Sequence, residues 1–342
     1  MQEPLPLGES IAPDEIQDNW IRADCEPFDD SALGFQALLP KDWGFQSVRT
    51  QNDQLNATKM KPLALFVSPE GTGESPRLQI QGIQLKREIS AADWILQYSQ
   101  TTDREITTVR EQSPIFCDTE QVGDIEGVPF AFRSGFLIDG NRGFLIEAMS
   151  GSASYDAFRA QAGLMMSSFK LKEPAAQRTV EEWGQLTVGS LKVHAPKSWR
   201  PRTAPAPPAG KQAVDFYNLN AEEEIIGLIR AKCSSLPTES LMQARQLALE
   251  EFTEAGIGLG ELLRHDARPL ENFPDGTLSI HKSLVTDSNG PSLELWIYTC
   301  HSNSDVLTIS LLTPAREATF STWAHNKRVY EECLFLMELT EQ

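Results

Sequence analysis

No stretch of the 342 residues approaches the roughly 18–20 consecutive apolar residues that a membrane helix requires. The N-terminus also lacks a basic region followed by an apolar run, so neither a secretory signal nor membrane insertion is expected. Cysteine is sparse: Cys25, Cys117, Cys233, Cys300 and Cys333 are odd in number and scattered, with no Cys-x-x-Cys pair. That spacing excludes a zinc ribbon and a disulfide framework, and suits a reducing cytosol. Histidine is missing from the whole first half. His194, His265, His281, His301 and His325 form no His-Glu-x-x-His or other close ligand pair, so no metal and no cofactor is expected. Positive charge is short as well. Thirty Lys and Arg face 48 Asp and Glu, a net charge of −18. Phosphate-tracking proteins cluster Lys and Arg, so this balance argues against nucleic acid, and equally against docking on an anionic membrane. A basic partner, or simply good solubility, fits it better.

Hydrophobic residues make up 40% and charged residues 23% of the chain, enough apolar content for folded domains, and the length allows two. The acidity is uneven. Residues 1–30 hold nine carboxylates against the single Arg22. This acidic N-terminal extension has two readings: a solvated leader, or an arm that uses Ile11, Ile16, Trp20 and Ile21 to dock on a partner or on the chain's own body.

The chain repeats itself once. An alternating strand ending in Pro40-Lys41-Asp42-Trp43 returns 156 residues later, ending in Pro196-Lys197-Ser198-Trp199. Alternation puts Phe35, Ala37 and Leu39, and likewise Leu191, Val193 and Ala195, on one buried face. Proline then ends the strand, and the Trp is expected to fold back over the core. Later landmarks stay in order: the turns Glu126-Gly127 and Asn289-Gly290, then Asp139 to Arg142 against Ser302 to Asp305. Last come Tyr155-Asp156-Ala157-Phe158 and Phe320-Ser321-Thr322-Trp323, 165 apart. An offset that grows in one direction is what insertions in a duplicated domain produce.

The patterns predict strands near 34–39, 63–68, 77–86, 114–122, 128–138 and 143–150, with helices near 90–101 and 153–168. Ser90 caps the first of these with Asp93. In the second copy strands are expected near 189–195, 213–218, 223–232, 277–285, 292–300 and 305–312, with helices near 238–254 and 315–331. The domains are then 31–172 and 188–342, joined by a linker over 173–187. Residues 200–210 are too rich in proline for a helix or strand and are expected to loop out. Gly256-Ile257-Gly258-Leu259-Gly260 follows a helix rather than a strand, the wrong order for a dinucleotide fingerprint, and reads as a helix-stopping turn. Gly71 to Ser75 lacks the lysine of a phosphate-binding loop.

The Phe35 to Trp43 strand and turn, the three-stranded meander over 114–150, and the Tyr155 to Leu171 ending resemble the PsbP-like superfamily. That group includes the extrinsic photosystem II protein, a nuclear-transport factor that binds the GTPase Ran, and bacterial domains that serve as chaperones for secretion effectors. The resemblance implies an α+β fold of two tandem α/β/α sandwiches, each an antiparallel sheet with helices on both faces. It carries no functional residues with it.

No Gly-x-Ser-x-Gly elbow is present, and Cys300 beside His301 makes a poor dyad, since neighbours on a strand point to opposite faces. His194 and His281 read as exposed-face strand histidines, and Trp94 with Tyr98 as the core stripe of a helix. Candidate partner contacts are Ile16 and Trp20 on the acidic extension, and the arginines Arg133, Arg142, Arg200 and Arg202. The expectation is a non-catalytic, cytoplasmic protein-binding module, an adaptor, chaperone or assembly factor, with a secretion-related partner as one version. An enzyme or small-ligand binder with its site in an interdomain cleft is the alternative.

Overall fold

A computed structural model describes residues 11–46, 55–69, 74–203, 211–234, 240–284, 292–302 and 305–339. The turns at Asn289-Gly290 and Asn303-Ser304, residues 204–210, and Gly71 to Gly73 lie outside them. The chain divides into two units, Met1–Val180 and Glu181–Gln342.

In the first unit a short helix α1 (Pro13–Asn19) leads into β1 (Trp20–Cys25) and β2 (Phe35–Pro40), then β3 (Gly44–Gln46), β4 (Lys61–Val67) and β5 (Arg77–Gln84). After α2 (Ala91–Thr101) come β6 (Glu105–Ser113), β7 (Phe116–Ile125), β8 (Val128–Asp139) and β9 (Arg142–Gly151). Helix α3 (Tyr155–Ser168) and β10 (Lys170–Leu171) complete it. The strands build an antiparallel sheet in the order β3-β4-β5-β9-β8-β7-β6, and a small sheet β1-β2-β10. Alternation along β8 sends neighbours to opposite faces. Phe136 stacks on Trp94 of α2, ring centroids 3.6 Å apart, whereas a Cβ on Gly163 of α3 would meet the Arg133 guanidinium. The helices therefore cover opposite faces, and α3 shares its face with the small sheet through Phe35, Leu39, Phe158 and Met165.

Local signals explain the elements. Ser90 accepts the Asp93 amide at the start of α2 and donates to its carboxylate. The β7–β8 hairpin turns on Glu126 and Gly127, both at positive φ, the geometry of a two-residue type I′ loop. Phe35, Ala37 and Leu39 are buried in alternation, and Trp43 folds back to stack on Phe158.

The second unit runs β11 (Trp183–Val188), β12 (Leu191–Pro196), β13 (Arg200–Thr203), β14 (Lys211–Leu219) and β15 (Ile225–Ser234), then α4 (Leu241–Glu254). It continues with β16 (Gly258–Ala267), β17 (Thr277–Leu284), β18 (Leu293–Ser302), β19 (Asp305–Pro314), α5 (Phe320–Phe335) and β20 (Glu338–Leu339). The sheet orders, β13-β14-β15-β19-β18-β17-β16 and β11-β12-β20, copy those of the first unit strand for strand. A capping box of Ser240 and Gln243 opens α4, and Gly256 at positive φ closes it. On the far face Glu294 accepts the indole N–H groups of Trp296 and Trp323, which settles both polar handles of that aromatic cluster. Each unit is thus an α/β/α sandwich, the fold class that the resemblance implied.

Several expectations are corrected. Of the two readings of the acidic extension, the solvated leader fails from Trp20 onward and docking on the chain's own body holds: β1 pairs along the whole of β2, and Trp20 is only 6% exposed. The linker likewise ends in β11, which pairs with β12. Register sets Trp20 opposite Pro40 and Trp183 opposite Pro196, so the repeat begins at these two tryptophans. The meander has a fourth strand, β6 in one unit and β16 in the other, and the latter absorbs Gly258 and Gly260. Arg200–Thr203 forms the edge strand β13 rather than a loop, because proline is tolerated where no neighbour needs its N–H.

Candidate functional site

Equivalent positions in the two units separate what the fold needs from what it does not. Both keep a Trp at the start of the first strand, the Pro at the end of the second and the Trp after the turn. On the surface beside them the copies part. Ile21 is matched by Gly184, Asp24 by Thr187 and Phe45 by Pro201. In the first unit these residues build a groove.

The groove, about 430 Å³, lies beside β1 and the 26–29 turn and reaches Trp43, Phe45 on β3, and Leu63 and Phe66 on β4. Its walls are apolar. Phe45 is 58% exposed and tilts against Phe66 at 5.3 Å, and Ile21 is 44% exposed. Exposed large apolar side chains grouped in one depression are what a binding surface presents. Phe28 and Asp29 in the turn hold φ of 61° and 57°, a left-handed backbone that costs a non-glycine residue about 1–2 kcal/mol each. The Phe28 ring lines the groove, and the Lys61 ammonium sits 3.8 Å from its centroid.

Asp24 and Glu26 line the groove, both about half-exposed, and Lys172 bridges them at 2.7 and 2.5 Å. The Lys172 ammonium, with the Gln36 amide, holds the Asp24 carboxyl below its ordinary range. Cys25 is half-buried, and burial, aided by the Asp24 charge, pushes its thiol up to about 11, so it is a neutral thiol at physiological pH. The groove thus offers apolar contact beside a carboxylate pair bridged by Lys172, with no histidine among its described lining residues.

The sequence-predicted contact residues scatter. Ile16 packs against the first core and Trp20 is inside it, next in β1 to the groove residue Ile21. Arg133 is 3% exposed and makes a bidentate pair with Asp118, so it holds the sheet together and faces no partner. Arg142 donates to Asp139 and to the carbonyls of Ala32 and Glu173, while Ala175 donates its amide to Asp139. It fastens the start of the connecting segment to its own unit. Arg200 and Arg202 stand exposed on the β13 edge, Arg200 paired with Glu223 at 3.1 Å. Ile21 was among the anchors expected of the acidic arm, whereas Phe45, just past a turn, escaped sequence reasoning. An apolar residue at an exposed strand position was the available signal.

Among the described residues no three His, Cys, Asp or Glu are grouped to hold a metal, and no helix is long and apolar enough to cross a membrane. Cys300 and His301 do point apart. Cys300 is buried with its thiol pushed well up, while His301 lies 2.5 Å from Asp275. His194 and His281 are not on exposed faces: the first is half-buried and the second buried, and burial lowers the pKa of both.

The class that this architecture defines is a tandem of two α/β/α sandwiches. The chain is similar to the solved PsbP of the cyanobacterium Synechocystis at 12% identity, over 45% of this chain and 92% of that one, with a TM-score of 0.33. It is similar to the Ran-binding protein Mog1p of Saccharomyces cerevisiae at 13% identity, over 46% and 96%, with the same score. The immunity protein TplEi of the T6SS of Pseudomonas aeruginosa matches at 10% identity over 94% and 97%, with a TM-score of 0.27. No protein-family model and no curated protein matches the sequence.

Proposed function

We propose that the protein is a non-catalytic protein-binding module whose first unit captures a partner segment bearing an apolar anchor flanked by basic residues. The observation that carries this reading is the groove itself: exposed Ile21 and Phe45 around a strained aromatic turn, with Asp24 and Glu26 beside them. The second copy has Gly184 and Pro201 at two of these positions, so the sandwich does not need them for folding. Acidic side chains and the −18 net charge favour a basic partner and speed its encounter. An enzyme would need a poised acid, base or nucleophile at the groove; Cys25 is held protonated and the two carboxylates are engaged by Lys172.

The test is peptide display against the full chain. Enriched sequences should carry a large aliphatic or aromatic residue between Lys or Arg. One buried anchor of about 1.5–3 kcal/mol corresponds to roughly tenfold or more in affinity, so Ile21→Asp and Phe45→Asp should each weaken binding by at least that factor. Met242→Asp, at an exposed position of α4, should not. Peptides that bind the Phe45→Asp protein as tightly as the parent overturn the proposal.

A further inference from the structure

The second unit carries a polar cluster that the first does not. Ser279 and His281 are two residues apart on β17 and share a face. Their partners on β18 are Ile297 and Leu295, which pack under Ala248 and Phe252, so this is the face that α4 covers. An irregular register in β16 sets His265 directly opposite Ser279. From α4, Arg245 brings its guanidinium 3.2 Å from His265 Nδ1. Arg245 and His265 also both act on the His281 ring, and no carboxylate acts on it appreciably. The floor is dry: Ser279 is 1% exposed and His281 8%, whereas His265 is exposed and Arg245 partly so.

Three polar atoms of this cluster, Ser279 Oγ, His281 Nε2 and Arg245 Nε, have no hydrogen-bond partner among the described residues. A buried polar atom left unmatched costs about 1–3 kcal/mol, so three in one place call for a common explanation. The fold does not supply it. Counting from the helix caps Ser90 and Ser240 and along the matched hairpins, the same four positions in the first unit are Ile95, Val109, Thr119 and Gln121. There the helix and edge-strand positions are apolar, and Thr119 donates to the Ser134 carbonyl while Gln121 donates to Thr119. Two basic side chains and two unmatched polar ones have replaced two apolar side chains and a hydrogen-bonded Thr-Gln pair, in which Gln121 Oε1 alone is without a partner among the described residues.

We propose that Arg245, His265, Ser279 and His281 form an oxyanion site that takes a phosphate group, free or carried by a small metabolite. Arg245 supplies a fixed positive charge and a directed N–H donor. The Ser279 hydroxyl and the His281 ring N–H donate from the floor, and His265 closes the open side. A phosphate oxygen accepts several hydrogen bonds at once, so a single group matches all three unpaired atoms. Recognition is by side chains from three elements and owes nothing to the groove of the first unit.

The experiment is titration of the full chain with inorganic phosphate, followed by imidazole and Arg side-chain NMR signals, with acetate and glucose 6-phosphate as parallel arms. The expected result is saturable shifts at His265, His281 and Arg245. Arg245→Ile and His265→Val, which install the residues of the first unit, should each weaken binding at least tenfold and leave unfolding temperature within a few degrees. Stronger binding of the sugar phosphate than of phosphate identifies a metabolite ligand; equal binding identifies the free ion. Either result supports the site. Preference for acetate overturns the phosphate assignment. Wild-type protein without saturable shifts at these residues, or shifts that persist in Arg245→Ile, or small linear shifts at all surface cations (an adventitious ion only) overturns the proposal without touching the peptide-groove reading.

Discussion

Replacing Arg133 by methionine should destabilise the first unit, although the residue looks in sequence like a surface contact. Its guanidinium donates to both Asp118 oxygens, at 3.2 and 2.8 Å, and the two side chains are 4% and 0% exposed. Removing one partner of a buried pair costs about 3–5 kcal/mol, because the carboxylate that remains is stranded. Asp118 is not wholly stranded here. Arg110, about a quarter exposed, also reaches it at 2.8 Å. The expected loss is therefore about 2–4 kcal/mol, which for a unit of this size lowers the unfolding temperature by roughly 5–15 °C. Two units need not unfold together, so the sharper assay is hydrogen exchange of the β7 and β8 amides, which reads the affected hairpin directly. Asp118→Leu combined with Arg133→Met should recover much of the loss, since two apolar side chains leave no stranded carboxylate. Exchange in Arg133→Met within about 0.5 kcal/mol of the parent would refute the reasoning and return Arg133 to the surface.

Trp20→Ala should cost about 3–5 kcal/mol in chemical unfolding of the first unit, as for a buried core aromatic; a loss under about 1 kcal/mol would make β1 a detachable arm. Glu126→Asn relieves a positive φ of 52° in the β7–β8 turn and should stabilise by about 0.5–1 kcal/mol in thermal unfolding, provided Gly127 is left in place. Alkylation of Cys25 should be slow at neutral pH and rise about tenfold per pH unit toward 11, because burial favours the neutral thiol over the thiolate. A thiol that reacts at full rate at pH 7 contradicts the groove's electrostatics.

Most regular elements were legible because their signals are local. Alternation over Phe35 to Leu39 and Leu191 to Ala195, the caps at Ser90 and Ser240, and the Glu126-Gly127 turn each act within a few residues. The strands that were missed are edge or covering strands. β1, β3, β6, β11, β13 and β16 have one neighbour in their sheet, so their burial is partial and their sequences lack a clean period of two. Trp20 and Trp183 would have marked the two earliest of them, had each been set against the proline opposite it rather than read as leader and linker. The acidic residues of the extension pointed the other way. Asp24 and Glu26 look like a solvated run, and only their pairing with Lys172, some 146 residues on, ties both side chains to the folded unit.

The duplication, the α+β class and the acidic character follow from the sequence alone, since each depends on composition or on spacing along the chain. Sites do not follow, because they depend on registers between distant strands. Ile21 and Phe45 line one groove only after β1 pairs with β2 and β3 joins β4, and His265 lies opposite Ser279 only through an irregular pairing in β16. The same registers took Arg133 and Arg142 off the surface and put His281 beneath a helix. Tertiary pairing decides which side chains share a cavity and which are hidden, and no period of 2 or 3.6 encodes that choice.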